Sequence, residues 1–155
     1  MNIQPHDIIG ALAALGVYPP GGSSGIVIRR AALANDITGL SGSTPRAITW
    51  DTGDFDPSEP TRVYVPPGFS HALVTGSARI TGSGNAETWL RHNGNTTSIG
   101  YNLAGNAATT SISPCAQMWP VSAGEYFELI VNRASSLTGI LSADSRTSLT
   151  LTLLP

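Results

Sequence analysis

Lysine is absent from the 155-residue chain, and eight arginines face ten acidic residues for a net charge of −2. Arg29 and Arg30 form the one basic doublet. Phosphate backbones are held by several converging cations, so this charge pattern excludes nucleic acid as a partner. The single cysteine, Cys115, leaves neither an internal disulfide nor a cysteine pair for a metal. It is expected as a small buried hydrophobe.

Charged residues make up 12% of the chain and aromatic residues 6%. Helix surfaces are normally filled with Glu, Lys and Arg, so this poverty of charge argues against a helical protein. Long hydrophobic runs are missing too. The apolar stretch IIGALAALGVY, residues 8–18, is shorter than the roughly 20 residues that a membrane helix needs. The preceding MNIQPHD has no positive charge and carries Asp7, which excludes a signal peptide. No membrane insertion and no secretion by that route are expected.

What the chain has in quantity is glycine (17), proline (11), serine and threonine. That is the composition of short strands and frequent turns. The length suits one domain with a short appendage. Residues 5–16 read as a helix: Pro5 suits a first turn, Asp7 complements the dipole, and Ile8, Leu12 and Leu15 fall at i, i+4 and i+7 before Gly16. A helix this short is unstable alone, so its apolar stripe must dock on something. We take residues 1–20 as a helical anchor, 21–45 as an extended linker with a short strand at Ile26 to Ile28, and 46–155 as the folded domain.

Within that domain, strands are expected near 47–51, 61–66, 69–81, 86–92, 96–103, 108–121, 125–133, 137–142 and 147–154. Asn93-Gly94 supplies the positive φ angles of a type I′ hairpin. The terminal SLTLTLLP alternates Leu149, Leu151 and Leu153 with Ser148, Thr150 and Thr152. The segment GEYFELIVNR, residues 124–133, breaks this tidy scheme. Phe127, Leu129 and Val131 form one face, but Tyr126 and Ile130 make the opposite face partly apolar as well.

Titratable residues do not converge on a reaction centre. His6, His71 and His92 lie in no metal-ligand spacing, so neither metal nor cofactor is expected. GFSHA approaches a nucleophile elbow at Ser70 but fails at Ala72, and His71 reads as a strand residue on a polar face. TGSGN, residues 81–85, lacks the lysine of a phosphate loop and reads as a turn. No enzyme is expected. Trp89 reads as packing on a neighbouring strand or subunit, with sugar stacking as the alternative.

The order AITWDTGDFD, TRVYVPPG, a long strand, WLRHNGN and VSAGEYFELIVNR before an alternating terminal strand resembles the jelly roll of the complement globular head and tumour necrosis factor superfamily, in the version found in bacteriophage structural proteins. The likeness covers about residues 46–155. It implies an all-β, two-sheet antiparallel jelly-roll sandwich that forms a homotrimer, one sheet of each subunit facing the threefold axis. The GEYFELIVNR strand looks like one of that axial sheet, which would put Tyr126 and Ile130 in the trimer interface. Complement-type members often bind calcium, and Asp51, Asp54, Asp56 and Glu59 stand close together here. A calcium-loop glycine and a full ligand series are missing, so these acids are expected as turn residues capping strand ends.

The function these readings imply is that of a bacteriophage virion structural protein, a trimeric head fibre or capsid decoration protein assembled in the host cytoplasm. It would dock on its capsid partner through Ile8, Leu12, Leu15 and Tyr18, three copies gaining avidity from being joined. The alternative is a trimeric receptor- or glycan-binding module of a phage tail, reading a host-surface glycan.

Overall fold

The computed structural model describes residues 25–40, 44–81, 86–95, 99–104, 110–133, 139–141, 143 and 147–155. Twelve strands are seen among them: β1 (Val27–Ala32), β2 (Ile37–Leu40), β3 (Arg46–Ala47), β4 (Thr52–Gly53), β5 (Val63–Tyr64), β6 (His71–Thr81), β7 (Ala86–His92), β8 (Ile99–Ala104), β9 (Thr110–Pro120), β10 (Tyr126–Arg133), β11 (Gly139–Leu141) and β12 (Ser148–Leu154). All pairings are antiparallel. The all-β expectation holds. The helix expected over residues 5–16, with Ile8, Leu12, Leu15 and Tyr18, lies outside the described residues.

Two sheets stack face to face. In the seven-stranded sheet β6 is the spine: β9 runs along one side of it, and β12 then β11 along the other. Beyond β12 lie β1 and β4, and beyond β11 lies β2. The five-stranded sheet is centred on β10, which pairs β7 on one side and both β3 and β5 on the other; β8 closes it beyond β7.

Period-two alternation builds the core between them. Leu149, Leu151 and Leu153 of β12 face inward beside Ala72, Val74, Ala78 and Ile80 of β6; Leu90 of β7 and Phe127, Leu129 and Val131 of β10 meet them from the other sheet. Ser148, Thr150 and Thr152 point outward, as expected. His92 ends β7 on the inner face, stacked on Phe127 at 4.8 Å and edge-on to Trp119 at 5.5 Å, so its ring bridges the two layers.

Asn93 and Gly94 both have positive φ, with the Asn95 amide donating to the His92 carbonyl at 2.9 Å, so the I′ turn forms as read. The β7–β8 register then shifts between Thr88 and Leu90.

Two expectations are corrected. The extended linker of 21–45 is, over its described residues, largely sheet: Val27 to Ala32 pair residue by residue with Leu153 to Ser148, and Ile37 and Leu40 pair with β11. The doublet Arg29-Arg30 hid this strand, because it put a charge on both faces of a six-residue segment. The single strand expected over 47–51 is two short ones on different sheets. Ala47 pairs with Ile130 of the five-stranded sheet and Thr52 with Ala32 of the seven-stranded sheet. Between them the chain crosses the sandwich, with Ile48 and Trp50 buried in the core.

Candidate functional site

Each sheet leaves one outer face, and the two differ in chemistry. On the seven-stranded sheet, register aligns a row across four strands: Ile28 of β1 opposes Thr152 of β12, Thr152 opposes Leu73 of β6, and Leu73 opposes Met118 of β9. Ile28 is 63% exposed, Leu73 36% and Met118 50%. The neighbouring row is Arg30, Thr150, Thr75 and Ala116, small and uncharged apart from its one arginine. Ile26 adds exposed apolar surface at the β1 end. Single large apolar side chains on a surface mean little; here Leu73 and Met118 adjoin and Ile28 stands in the same row beyond Thr152, a grouping of the kind that contact surfaces use.

The outer face of the five-stranded sheet is polar and aromatic. Tyr126 packs against Tyr64 with ring centroids 5.4 Å apart, under the Arg62 guanidinium 4.3 Å from its centroid. Arg62 and the Tyr64 hydroxyl both bond the Glu59 carboxylate. Glu128 is almost fully buried, accepting from Thr61 Oγ1 at 2.8 Å and from Arg91 Nε at 2.7 Å. Next along, Ile130 stands opposite Trp89, and Asn132 Nδ2 donates to Glu87 at 3.0 Å.

Tyr126 and Ile130, the residues expected in a trimer interface, both lie in β10 of this sheet. Ile130 is only 2% exposed within one protomer, so it has almost no surface left to give a neighbouring subunit. With Pro45, Trp89 and Arg91 it lines a hollow of about 240 Å3. Tyr126 is half-buried by Tyr64 and Arg62. Trp89, half-buried, stands across from Ile130 on the adjacent strand.

The acidic run caps strand ends. Asp51 takes the Ala34 amide on Oδ1, and the Asn35 amide and side-chain amide on Oδ2 at 3.0 and 2.9 Å. Asp54 Oδ2 accepts from the Arg30 amide at 3.0 Å, and Asp56 Oδ1 from the amide and hydroxyl of Ser58. These carboxylates tie local backbone rather than converge on one point. A hollow of about 440 Å3 lies beside Asp54 and Asp56, lined also by Arg29, Phe55, Pro57 and Tyr64. No group of three or more His, Cys, Asp or Glu placed to hold a metal occurs among the described residues. Ser70 Oγ lies 2.9 Å from His71 Nδ1 and donates to the Pro155 carbonyl at 2.8 Å, tying β6 to the end of the chain; His71 is exposed, as read.

Burial pushes the Glu125 carboxyl up, but hydrogen bonds from the Ser122 amide and His92 outweigh it and hold the group below its ordinary 4.5. Asp51 is likewise raised by burial and lowered further by the Ala34 and Asn35 donors, ending below 3.8. Depressed folded-state values stabilise the fold above the unfolded pKa, and that stabilisation is lost as pH falls through the folded one. The urea midpoint is therefore expected to hold from pH 7 to about 5 and to fall steadily below 4.5. Asp51→Asn should lower the midpoint at pH 7 and flatten this acid limb; an unchanged limb would show that the cap contributes nothing.

No protein-family model matches the chain, and no curated protein matches it. Solved structures do. Murine APRIL superposes with a TM-score of 0.62 over 84% of this chain and 100% of its own, at 10% identity. A second murine APRIL structure, at pH 8.5, gives 0.61 at 11% identity, covering 84% and 100%. Eiger TNF from S. frugiperda gives 0.60 at 12% identity, covering 85% of this chain and 94% of its own. At such identities the likeness is one of fold: this chain is a tumour necrosis factor-like jelly roll.

Proposed function

We propose that the protein is a structural module that assembles as a homotrimer through the outer face of its seven-stranded sheet. We propose further that it serves in a bacteriophage virion as a head fibre or capsid decoration protein. The observation that carries the assembly is the aligned row of Ile28, Leu73 and Met118. Burying such a row removes apolar surface from water at about 25 cal/mol per Å2, and the threonines beside it are small enough for close approach. The threefold number comes from the family resemblance of the sequence.

The interface thus moves from Tyr126 and Ile130 to the opposite sheet. The other outer face, with its buried Glu128–Arg91 pair and aromatic cluster, stays turned toward solvent. Residues 1–20 are the capsid anchor in this reading, with Ile8, Leu12, Leu15 and Tyr18 as its contact stripe. One observation favours the rival, a receptor- or glycan-binding module of a phage tail: the hollow beside Trp89 on the solvent-facing sheet.

The test is co-sedimentation of the full chain and of a fragment with undecorated capsids and, separately, with host cells. Because β1 and β2 belong to the sheet, the fragment must begin at Gly25; a cut at Thr44 would remove two strands. The full chain is expected to pellet with capsids and the fragment to stay in solution. Pelleting of the fragment with cells, while neither form binds capsids, would overturn the decoration role in favour of the tail module.

A further inference from the structure

We propose that the hollow formed by Pro45, Trp89, Arg91 and Ile130 binds one uncharged pyranose ring of a glycan. Its volume, about 240 Å3, is below the roughly 300 Å3 at which drug-sized sites begin, and it suits a single ring. Two central strands of the five-stranded sheet, β7 and β10, supply Trp89, Arg91 and Ile130, so the walls are held by ladder hydrogen bonds before any ligand arrives.

The polar edge of the hollow offers donors. Arg91 spends its Nε on Glu128 Oε2, and Glu128 Oε1 already accepts from Thr61, so both carboxylate oxygens are engaged. That bond fixes the plane of the guanidinium, and the remaining N–H groups of its fork have no partner among the described residues. A ligand here must bring acceptor oxygens. It must also bring an apolar face, since Trp89 and Pro45 form the other walls, with Ile130 nearly covered at the base.

Charge decides between an anion and a neutral ligand. Arg91 and Glu128 cancel, and Glu87, on the same strand face two residues from Trp89, is offset by Arg46, next to Pro45 on the adjoining strand, so the neighbourhood carries no net charge. A carboxylate ligand would give up its hydration for a fork whose charge Glu128 already offsets, whereas a neutral hydroxylated ring does not meet that cost. The C–H face of a pyranose carries the positive edge that the indole face attracts, and its hydroxyl oxygens accept from the fork. The site lies on the sheet face opposite the Ile28–Leu73–Met118 row, so it does not depend on the assembly reading and remains open if assembly occurs.

The experiment is binding of the full-length protein to immobilised neutral oligosaccharides of glucose, galactose and mannose, to uronate-bearing counterparts, and to a proline-rich peptide, which also combines apolar rings with acceptor carbonyls. Trp89→Ala, Trp89→Phe and Arg91→Lys are compared with the parent. Arg91 is not truncated, because removing its head would strand the buried Glu128 carboxylate and unsettle the fold. The parent is expected to bind a neutral saccharide. Trp89→Ala should weaken that binding about tenfold or more, Trp89→Phe should restore most of it, and Arg91→Lys should weaken it at unchanged thermal midpoint. Failure to bind any neutral saccharide, binding indifferent to Trp89→Ala, or preference for the uronates or the peptide would each overturn the proposal.

Discussion

Gly53→Ala is expected to remove a large part of the protein's folding stability. Gly53 sits at φ +106°, a region that side chains with a Cβ rarely adopt, and a Cβ built there would lie 2.0 Å from the Arg30 carbonyl oxygen and 3.0 Å from Ala31 Cα. Both are backbone atoms and cannot rotate away. The same Arg30 oxygen accepts from the Asp54 amide at 2.7 Å, and the Arg30 amide donates to Asp54 Oδ2 at 3.0 Å. Relieving the clash therefore means parting β4 from β1 and losing two hydrogen bonds with it. We expect a loss of about 4 kcal/mol or more, in the range where single substitutions become exceptional, against a total stability of about 5–15 kcal/mol. Urea unfolding followed by far-ultraviolet circular dichroism checks this; a midpoint within experimental error of the parent would show that the β1–β4 corner is not as tight as described.

The second large effect is expected from the double substitution Leu73→Glu and Met118→Glu. The two residues face each other across the β6–β9 pair and are exposed in one protomer. New carboxylates there meet water in the isolated chain, so the monomer's stability should change little. In an assembly closed over this face they would be desolvated beside like charges, which costs about 2 kcal/mol or more per copy, of the order seen when an interface hot spot is lost. The variant should remain folded, with the parent's circular dichroism, yet sediment as a monomer. If it assembles as the parent does, this face is not the interface. Tyr126→Ala, on the other sheet, serves as the control that should leave assembly intact.

How legible each feature was depended on whether its signal lay within one segment. β7 and β12 were readable because inward and outward residues alternate over seven positions, β10 because it is an unbroken run of strand-forming residues, and the Asn93-Gly94 turn because its φ angles demand those residue types. β1 was not readable as a whole strand: its partner β12 lies more than a hundred positions away, and the two arginines interrupt its alternation. The second apolar face of β10 was visible in the sequence, but its cover was not. Pro45 and Trp89, which stand around Ile130, come from distant segments, so the sequence did not show that they meet there. The exposed row was the least legible feature. Ile28, Leu73 and Met118 are isolated residues in three separate strands, and register alone aligns them. The capping role of Asp51, Asp54 and Asp56 followed from residue type, whereas the partners Ala34, Asn35 and Arg30 could not, since they belong to the stretch read as linker.

Sedimentation equilibrium of the full-length protein at micromolar concentration tests the central claim most directly. A single species of three times the 16.1 kDa chain mass, unchanged on tenfold dilution, is the predicted result. A species of one chain mass across that range would contradict the trimer and leave the apolar row on the seven-stranded sheet without the role given to it here.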